Sequence, residues 1–310
     1  MHVVFGTGTI GRAAIDSLVE RDAAVRAVNR SGTADVPPGV EVVQCDASDE
    51  AEVVAAAAGA TGVYNCLNPP YNEWPKMFPP LQQNLIAAAE HNEARLVSFE
   101  NLYMYGDPHG APITEDMPYA ADTKKGTVRA AMANELDVLS ASGRVPVATA
   151  RASDYFGPGA TIQSPFGDRV IGSALQGRPA QVVGKPDTIH SYTYSRDAGR
   201  VLATLGTEDR AVGEVWIVPN APAQTTNAII GMIGDEIGNP IKVRVAPDFL
   251  LKVMGLFNPM LRELPEMLYE FKQPWVVDGS KFTDTFGMEA TPLEDSIPET
   301  VAWWQSRADN

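Results

Sequence analysis

The amino-acid sequence predicts an α/β protein: a doubly wound parallel sheet followed by a smaller, less regular C-terminal part. Three observations carry that expectation. Short β-branched runs alternate with helical patterns through the first half, a glycine-rich turn joins the first run to the first helix, and glycine and proline break the second half into short elements. A chain of 310 residues, 45% of them apolar, can bury a sizeable core. Its 26 Gly and 24 Pro follow no period, which excludes a collagen-like or disordered chain.

In chain order, residues 2–5 read as a first strand, apolar on both faces, and residues 10–21 as an amphipathic helix behind it. Residues 24–28 and 40–44 supply the second and third strands, and residues 49–58 the next helix. A fourth strand at 62–67 precedes a helix at 77–91, a fifth at 95–99 precedes a helix at 127–141, and a sixth spans 145–151. Gly157, Gly159, Pro165, Gly177, Pro179, Gly184, Pro186, Pro219, Pro222, Pro240 and Pro259 then punctuate the second half. The expected division is a core at 1–155 and a substrate-binding lid at 156–310, with about 188–218 returning to the core.

Composition removes several classes of function. The formal charge is −15 and no Lys/Arg run exists to neutralise phosphates, so no nucleic-acid partner is expected. No stretch approaches the ~18 apolar residues of a membrane span, and no leader-like segment follows Met1, so the expected location is the cytoplasm. Cys45 and Cys66, each in a strand-like run, read as buried thiols rather than a disulfide. Four dispersed His and two Cys make no metal set, and neither an acyl-transfer elbow nor a triphosphate loop is present. The apolar surface of the helix at 127–141 permits a homodimer and would equally serve to cover the sheet.

Directly after the first strand stands Gly6-Thr7-Gly8-Thr9-Ile10-Gly11, and Arg12 opens the helix body. Glycines are needed where backbone turns tightly, approaches a pyrophosphate and lets helix pack on strand, while the helix N-terminus offers N–H groups to the phosphates. With strand before and helix after, the arrangement is a Rossmann-type dinucleotide site. An NAD site usually places a carboxylate at the end of the second strand. Here Asn29-Arg30-Ser31 stands there instead, so the expected cofactor is NADP, with Arg30 and Arg12 as cations for a 2′-phosphate, and NAD second. Leu67 and Asn68, ending the fourth strand, are assigned to the same cofactor.

Further stretches join this turn. Asp46-Ala-Ser-Asp49 follows the third strand, Tyr103-Met-Tyr-Gly106 follows the fifth, and Arg151-Ala-Ser-Asp-Tyr-Phe-Gly-Pro-Gly159 follows the sixth. Ser191-Tyr-Thr-Tyr-Ser-Arg-Asp197 and the tail from Asp278 through Trp304 complete the series. In these motifs the chain resembles the extended short-chain dehydrogenases/reductases of the NAD-dependent epimerase/dehydratase group. The resemblance implies that Asp46 contacts the adenine. It also exposes departures. Where the family has Ser or Thr, this chain has Asn101, and the family's Tyr-x-x-x-Lys pair falls on Lys125 and Arg129.

The chemistry of that pair is a phenol whose proton moves while a nearby cation lowers its pKa. Arg129 keeps a cation. The proton carrier is then either Lys125 or Tyr103, the latter three residues before Gly106, where sugar-nucleotide dehydratases of the family carry a carboxylate. Asn101 can polarise a substrate oxygen through its amide. Pro69, Tyr71 and Trp74, in the loop after the fourth strand, and Tyr155 and His190 are the substrate candidates.

Three readings follow. The first is an NADP(H)-dependent oxidoreductase acting on a carbonyl or secondary alcohol of a small molecule. The second is a nucleotide-sugar epimerase or dehydratase with resident NAD. The third is a non-catalytic NADP(H)-binding sensor, which would tolerate Tyr103→Phe combined with Lys125→Ala.

Overall fold

A computed structural model of the chain describes residues 1–247 and 264–308. Pro259, read above as part of a turn, lies outside them. Two compact units are formed: Met1–Met104, Lys124–Ala152 and Arg196–Val218 make the first, and Tyr105–Thr123, Ser153–Ser195 and Pro219–Asn310 the second.

The first unit is built on the parallel sheet that the alternation predicts. Its strands are β1 (His2–Phe5), β2 (Val25–Asn29), β3 (Glu41–Gln44), β4 (Gly62–Asn65), β5 (Arg95–Glu100) and β6 (Val147–Arg151), with a seventh strand at Val215–Ile217. The seven lie in the order seventh-β6-β5-β4-β1-β2-β3, every pair parallel. The seventh strand escapes the sequence reading because three residues are too few to show a period. It is held by its ladder to β6, with Val215 opposite Thr149. Val3, Val4, Phe5, Val63, Tyr64, Leu96 and Val97 are fully or almost fully buried, as parallel strands covered on both faces require. β1 lies between β2 and β4, so the chain leaves it in opposite directions. Ligands of such sheets bind at the carboxyl ends of the strands at this reversal.

Helices α1 (Thr9–Val19), α2 (Glu50–Ala56), α3 (Trp74–His91) and α4 (Lys124–Ser142) accompany the strands. Two begin three residues earlier than their patterns suggest, and both shifts matter for the site. Proline is tolerated in a first helical turn, where its missing N–H has no partner to lose, so α3 starts at Trp74 with Pro75 behind it. Trp74 therefore stands on a helix rather than in a loop. α4 starts at Lys124 and carries Lys125 and Arg129, four residues apart and so on one face, both buried.

The second unit consists of short pieces. Tyr155–Phe156 pairs with Thr193–Tyr194, Ile189–His190 with Gln224–Thr225, and Ala180–Val182 with Val243–Val245. Helices Thr226–Ile237 and Leu293–Ala308 enclose with them a core that includes Phe156, Phe166, Tyr192, Ile230 and Trp304. No helix among the described residues is long and apolar enough to cross a membrane.

Candidate functional site

The turn after β1 has the shape of an anion cradle. Gly6 holds a left-handed φ of 97°, and a Cβ there would lie 2.5 Å from the Cys66 carbonyl oxygen. A Cβ on Gly11 would lie 1.7 Å from the Gly6 carbonyl oxygen. Both positions are closed to any other residue. Gly8 differs: a Cβ there meets nothing within 4 Å, so its open face is free for a ligand's backbone approach. Gly8 is also the N-cap of α1, which has neither a side-chain cap nor an acidic residue in its first turn. The N-terminal N–H groups thus keep their partial positive charge for an anion. The Cys66 thiol beside the turn is pushed up to about 12 by burial, so it stays protonated and inert.

At the end of β2 the side chains divide their work. Asn29 Nδ2 donates to Thr7 Oγ1 at 2.8 Å and to the Thr33 carbonyl oxygen, tying the glycine turn to the second strand. Ser31 Oγ donates within the same loop, to Asn29 Oδ1 and the Thr33 carbonyl. Arg30 points outward into an open hollow of about 740 Å³ that it shares with Val43, Gln44, Asp46, Glu52, Ala55 and Ala56. Its guanidinium makes no hydrogen bond or ion pair with the described residues, only its carbonyl accepting from Gln44 Nε2. Asp46 is held ionised, its carboxyl lowered first by the Ser48 backbone N–H, then by the Ser48 hydroxyl, with Arg30's charge adding. Arg12, expected as a second phosphate cation, is already engaged. Its guanidinium meets Asp16 at 2.9 Å and Asp35 at 3.2 Å.

The ends of β4 and β5 and the first turns of α3 and α4 bring a second group together. Pro69 offers its carbonyl to Trp74 Nε1 at 3.1 Å, which fixes the indole. Trp74 then packs edge-on against Tyr71 and Phe78, both at 4.9 Å between centroids, and tilted against Tyr103 at 5.7 Å. Two cations lie on this aromatic group. Lys125 Nζ stands 4.3 Å above the Tyr71 ring, and the Arg129 guanidinium 4.8 Å above Phe78. Cation–π attraction strengthens when the charge is desolvated, and Lys125 is 0% and Arg129 3% exposed. Asn101 accepts from the Tyr103 N–H at 3.3 Å, so the accepting atom is its carbonyl oxygen and its amide N–H₂ points elsewhere, unbonded to the described residues.

Arg129 turns its charge inward. Its Nη2 lies 3.3 Å from Glu100 Oε1, while Arg151 Nε meets the other oxygen of Glu100 at 3.0 Å. All three side chains are buried, and Arg129 Nε has no partner among the described residues. Burial pulls the Arg129 pKa down, the Glu100 carboxylate works against this, Arg151 adds to it, and the Tyr103 phenol opposes it. The sequence reading missed Glu100, although a carboxylate ending the buried run Leu96-Val-Ser-Phe-Glu100 signals a required partner. It also missed Phe78 and Met132, whose apolar types carry no mark of the cations beside them.

Tyr155 and His190 belong to the second unit. The Tyr155 hydroxyl donates to Gln163 Oε1 at 2.8 Å, and burial raises its pKa to about 12. His190 lies between the rings of Tyr192 and Phe271, with Nε2 3.0 Å from Asp154 Oδ2 and Nδ1 3.2 Å from the Glu270 carbonyl oxygen. Glu270 itself is fully enclosed, and burial first, then Asp154's charge, lifts its carboxyl well above the ordinary range. A carboxyl raised in the folded state stabilises the fold fully below its unfolded pKa, and that contribution is lost as pH rises. Glu270→Gln is therefore expected to match the parent protein near pH 4 and to become the more stable of the two above it. The gap should widen by up to about 1.4 kcal/mol per pH unit until the buried carboxyl ionises. Thermal melts from pH 4 to 9 read the difference directly.

Proteins of known structure share this architecture. They include dTDP-glucose 4,6-dehydratase from Bacillus anthracis, solved with NAD (15% identity, TM-score 0.77, covering 99% of this chain and 97% of that one). UDP-glucuronic acid 4-epimerase from Bacillus cereus, also solved with NAD, has 18% identity and a TM-score of 0.78 over 99% and 97% of the two chains. An epimerase from Methanothermobacter thermautotrophicus has 15% identity and a TM-score of 0.82 over 99% and 93%. At such identities the likeness concerns the fold. No curated protein matches in sequence. The model of one sequence family does, from residue 2 to 218, a stretch that runs from the strand before the glycine turn to just past the seventh strand. By that match the chain belongs to the NAD dependent epimerase/dehydratase family.

Proposed function

We propose that the protein binds a nicotinamide adenine dinucleotide at the glycine turn and performs epimerase- or dehydratase-type chemistry on a nucleotide-linked sugar, the cofactor being restored within each turnover. The observation that carries this reading is the pairing of an open cradle at Gly8 with a cation-bearing aromatic group at the ends of β4 and β5. Family membership and the sugar-nucleotide enzymes among its structural relatives support the reaction class. When bound, the nicotinamide supplies a hydride acceptor and donor. The uncapped first turn of α1 holds the diphosphate, Arg30 and Asp46 face the adenosine, and Leu67 and Asn68 border the nicotinamide half. Asn101, through its unbonded amide, orients a substrate oxygen, and Tyr103 moves the proton at that oxygen.

The test is incubation with UDP- and dTDP-linked hexoses in deuterated water, followed by NMR of the sugar and absorbance of the nicotinamide. Inversion at a ring carbon, or loss of water from the sugar with one deuterium gained at carbon, each without net change in nicotinamide absorbance, is the expected result. Stoichiometric consumption of the reduced cofactor with simple carbonyls would instead establish the plain oxidoreductase reading.

One observation favours that second reading with NADP(H): the exposed Arg30 guanidinium, which forms no ion pair with a carboxylate among the described residues. Against it, Asp46 and Glu52 line the same hollow. Arg30→Glu decides. If a 2′-phosphate sits there, NADPH binding weakens tenfold or more, a loss of about 1.4 kcal/mol, while NADH binding holds. Fluorescence titrations in which Arg30→Glu moves neither affinity would remove NADP(H) from consideration.

A further inference from the structure

We propose that Glu100 and Arg151 set the strength of the cation that Arg129 presents to Tyr103, making Glu100 a positioning residue for proton transfer. The inference rests on the functional reading above, in which Tyr103 moves the proton. One carboxylate is shared between two guanidiniums, at 3.3 Å to Arg129 and 3.0 Å to Arg151. Arg129 has no other carboxylate among the described residues. Its other neighbours include Phe78 on its face and Met132 Sδ at 3.7 Å from Nη1. Tyr103 packs on the same cluster of Trp74, Phe78 and Met132. The half-buried phenol thus packs on the same aromatic cluster as a buried guanidinium that divides its carboxylate with Arg151, and that charge acts on an ionising neighbour.

The chemical step balances simply. The Tyr103 O–H bond breaks as its proton passes to a substrate oxygen, the electron pair stays on the phenolate beside Arg129, and the reverse transfer restores the phenol. Arg151 competes with Arg129 for Glu100, so it tunes the cation from β6.

The electrostatic role makes predictions of opposite sign that a merely structural one does not. Tyrosinate absorbance, followed with pH on the full chain without cofactor or substrate, isolates Tyr103 by subtraction of the Tyr103→Phe titration. Arg129→Met is expected to raise the Tyr103 midpoint by about one pH unit or more, because the cation is gone. Arg129→Lys should restore most of that shift. Arg151→Met should also raise the midpoint, by freeing Glu100 to neutralise Arg129, whereas Glu100→Gln should lower it. If Glu100→Gln fails to fold, the Arg129 and Arg151 variants still decide the matter. A Tyr103 midpoint unchanged in folded Arg129→Met overturns the proposal, as does movement in the same direction for Glu100→Gln and Arg151→Met. Loss of dinucleotide binding alone would overturn the functional reading and leave this titration untouched, so the two failures are distinguishable.

Discussion

Gly8→Val is expected to abolish dinucleotide binding while leaving the fold in place. Gly8 has φ −73° and ψ −169°, extended backbone that a β-branched residue adopts without strain, and a Cβ there meets nothing within 4 Å. The cost to the free protein is about 1 kcal/mol, from a poorer N-cap. Bound diphosphate would lie against that face, where an isopropyl group excludes it, so affinity should fall a hundredfold or more, about 2.7 kcal/mol. Gly11→Ala is the contrast. Its methyl would overlap the Gly6 carbonyl, so helix and strand must separate, and overpacking of this kind costs about 1–3 kcal/mol or more. Thermal melts and NADH titrations on both variants separate the effects. Binding by Gly8→Val equal to that of the parent would move the cofactor out of this turn and remove the basis of the proposed function.

The second large effect is expected from Trp74→Ala. The indole is 5% exposed, donates to the Pro69 carbonyl, and packs against Tyr71, Phe78 and Tyr103. Truncation empties the centre of this group, and large-to-alanine changes of that kind cost about 3–5 kcal/mol. The unfolding midpoint should fall by several degrees, and Tyr71 and Tyr103 should lose their seats together with the cations above the rings. Trp74→Phe, which keeps most of the volume and loses only the N–H donor, should recover the larger part. A residue that only contacted substrate from a loop would show neither pattern: its removal would weaken binding and leave the melt unchanged.

Trp74 shows where a linear reading stops. The segment Asn68-Pro-Pro-Tyr-Asn-Glu-Trp74 has the composition of a rigid surface loop, and by composition its aromatics are ligand contacts. What composition does not reveal is that Pro75 begins a helix there and that Met132 and Phe78, far apart in sequence, close around the indole. Lys125 and Arg129 show the converse. Their spacing of four puts them on one helical face, which is readable, but the partner each charge finds is not. Lys125 lies over Tyr71, and Arg129 over Phe78 and against Glu100, because a buried charge takes whatever the opposing strand and helix present. Arg12 and Arg30 divide in the same way. Both are helix- or loop-borne cations beside the glycine turn, and only the folded positions of Asp16 and Asp35 reveal that Arg12 lies within ion-pair distance of two carboxylates.

The sheet, its parallel winding, the glycine turn and the family were legible from the order of residues, because strand and helix periods and the steric demands of Gly6 and Gly11 are local properties. Which charges find partners, which aromatics are core, and that Glu100 joins Arg129 to Arg151 emerge on folding. Ion pairs and ring contacts form between side chains brought together from separate strands and helices, and their energies depend on burial and distance, neither of which is written in the order of residues along the chain.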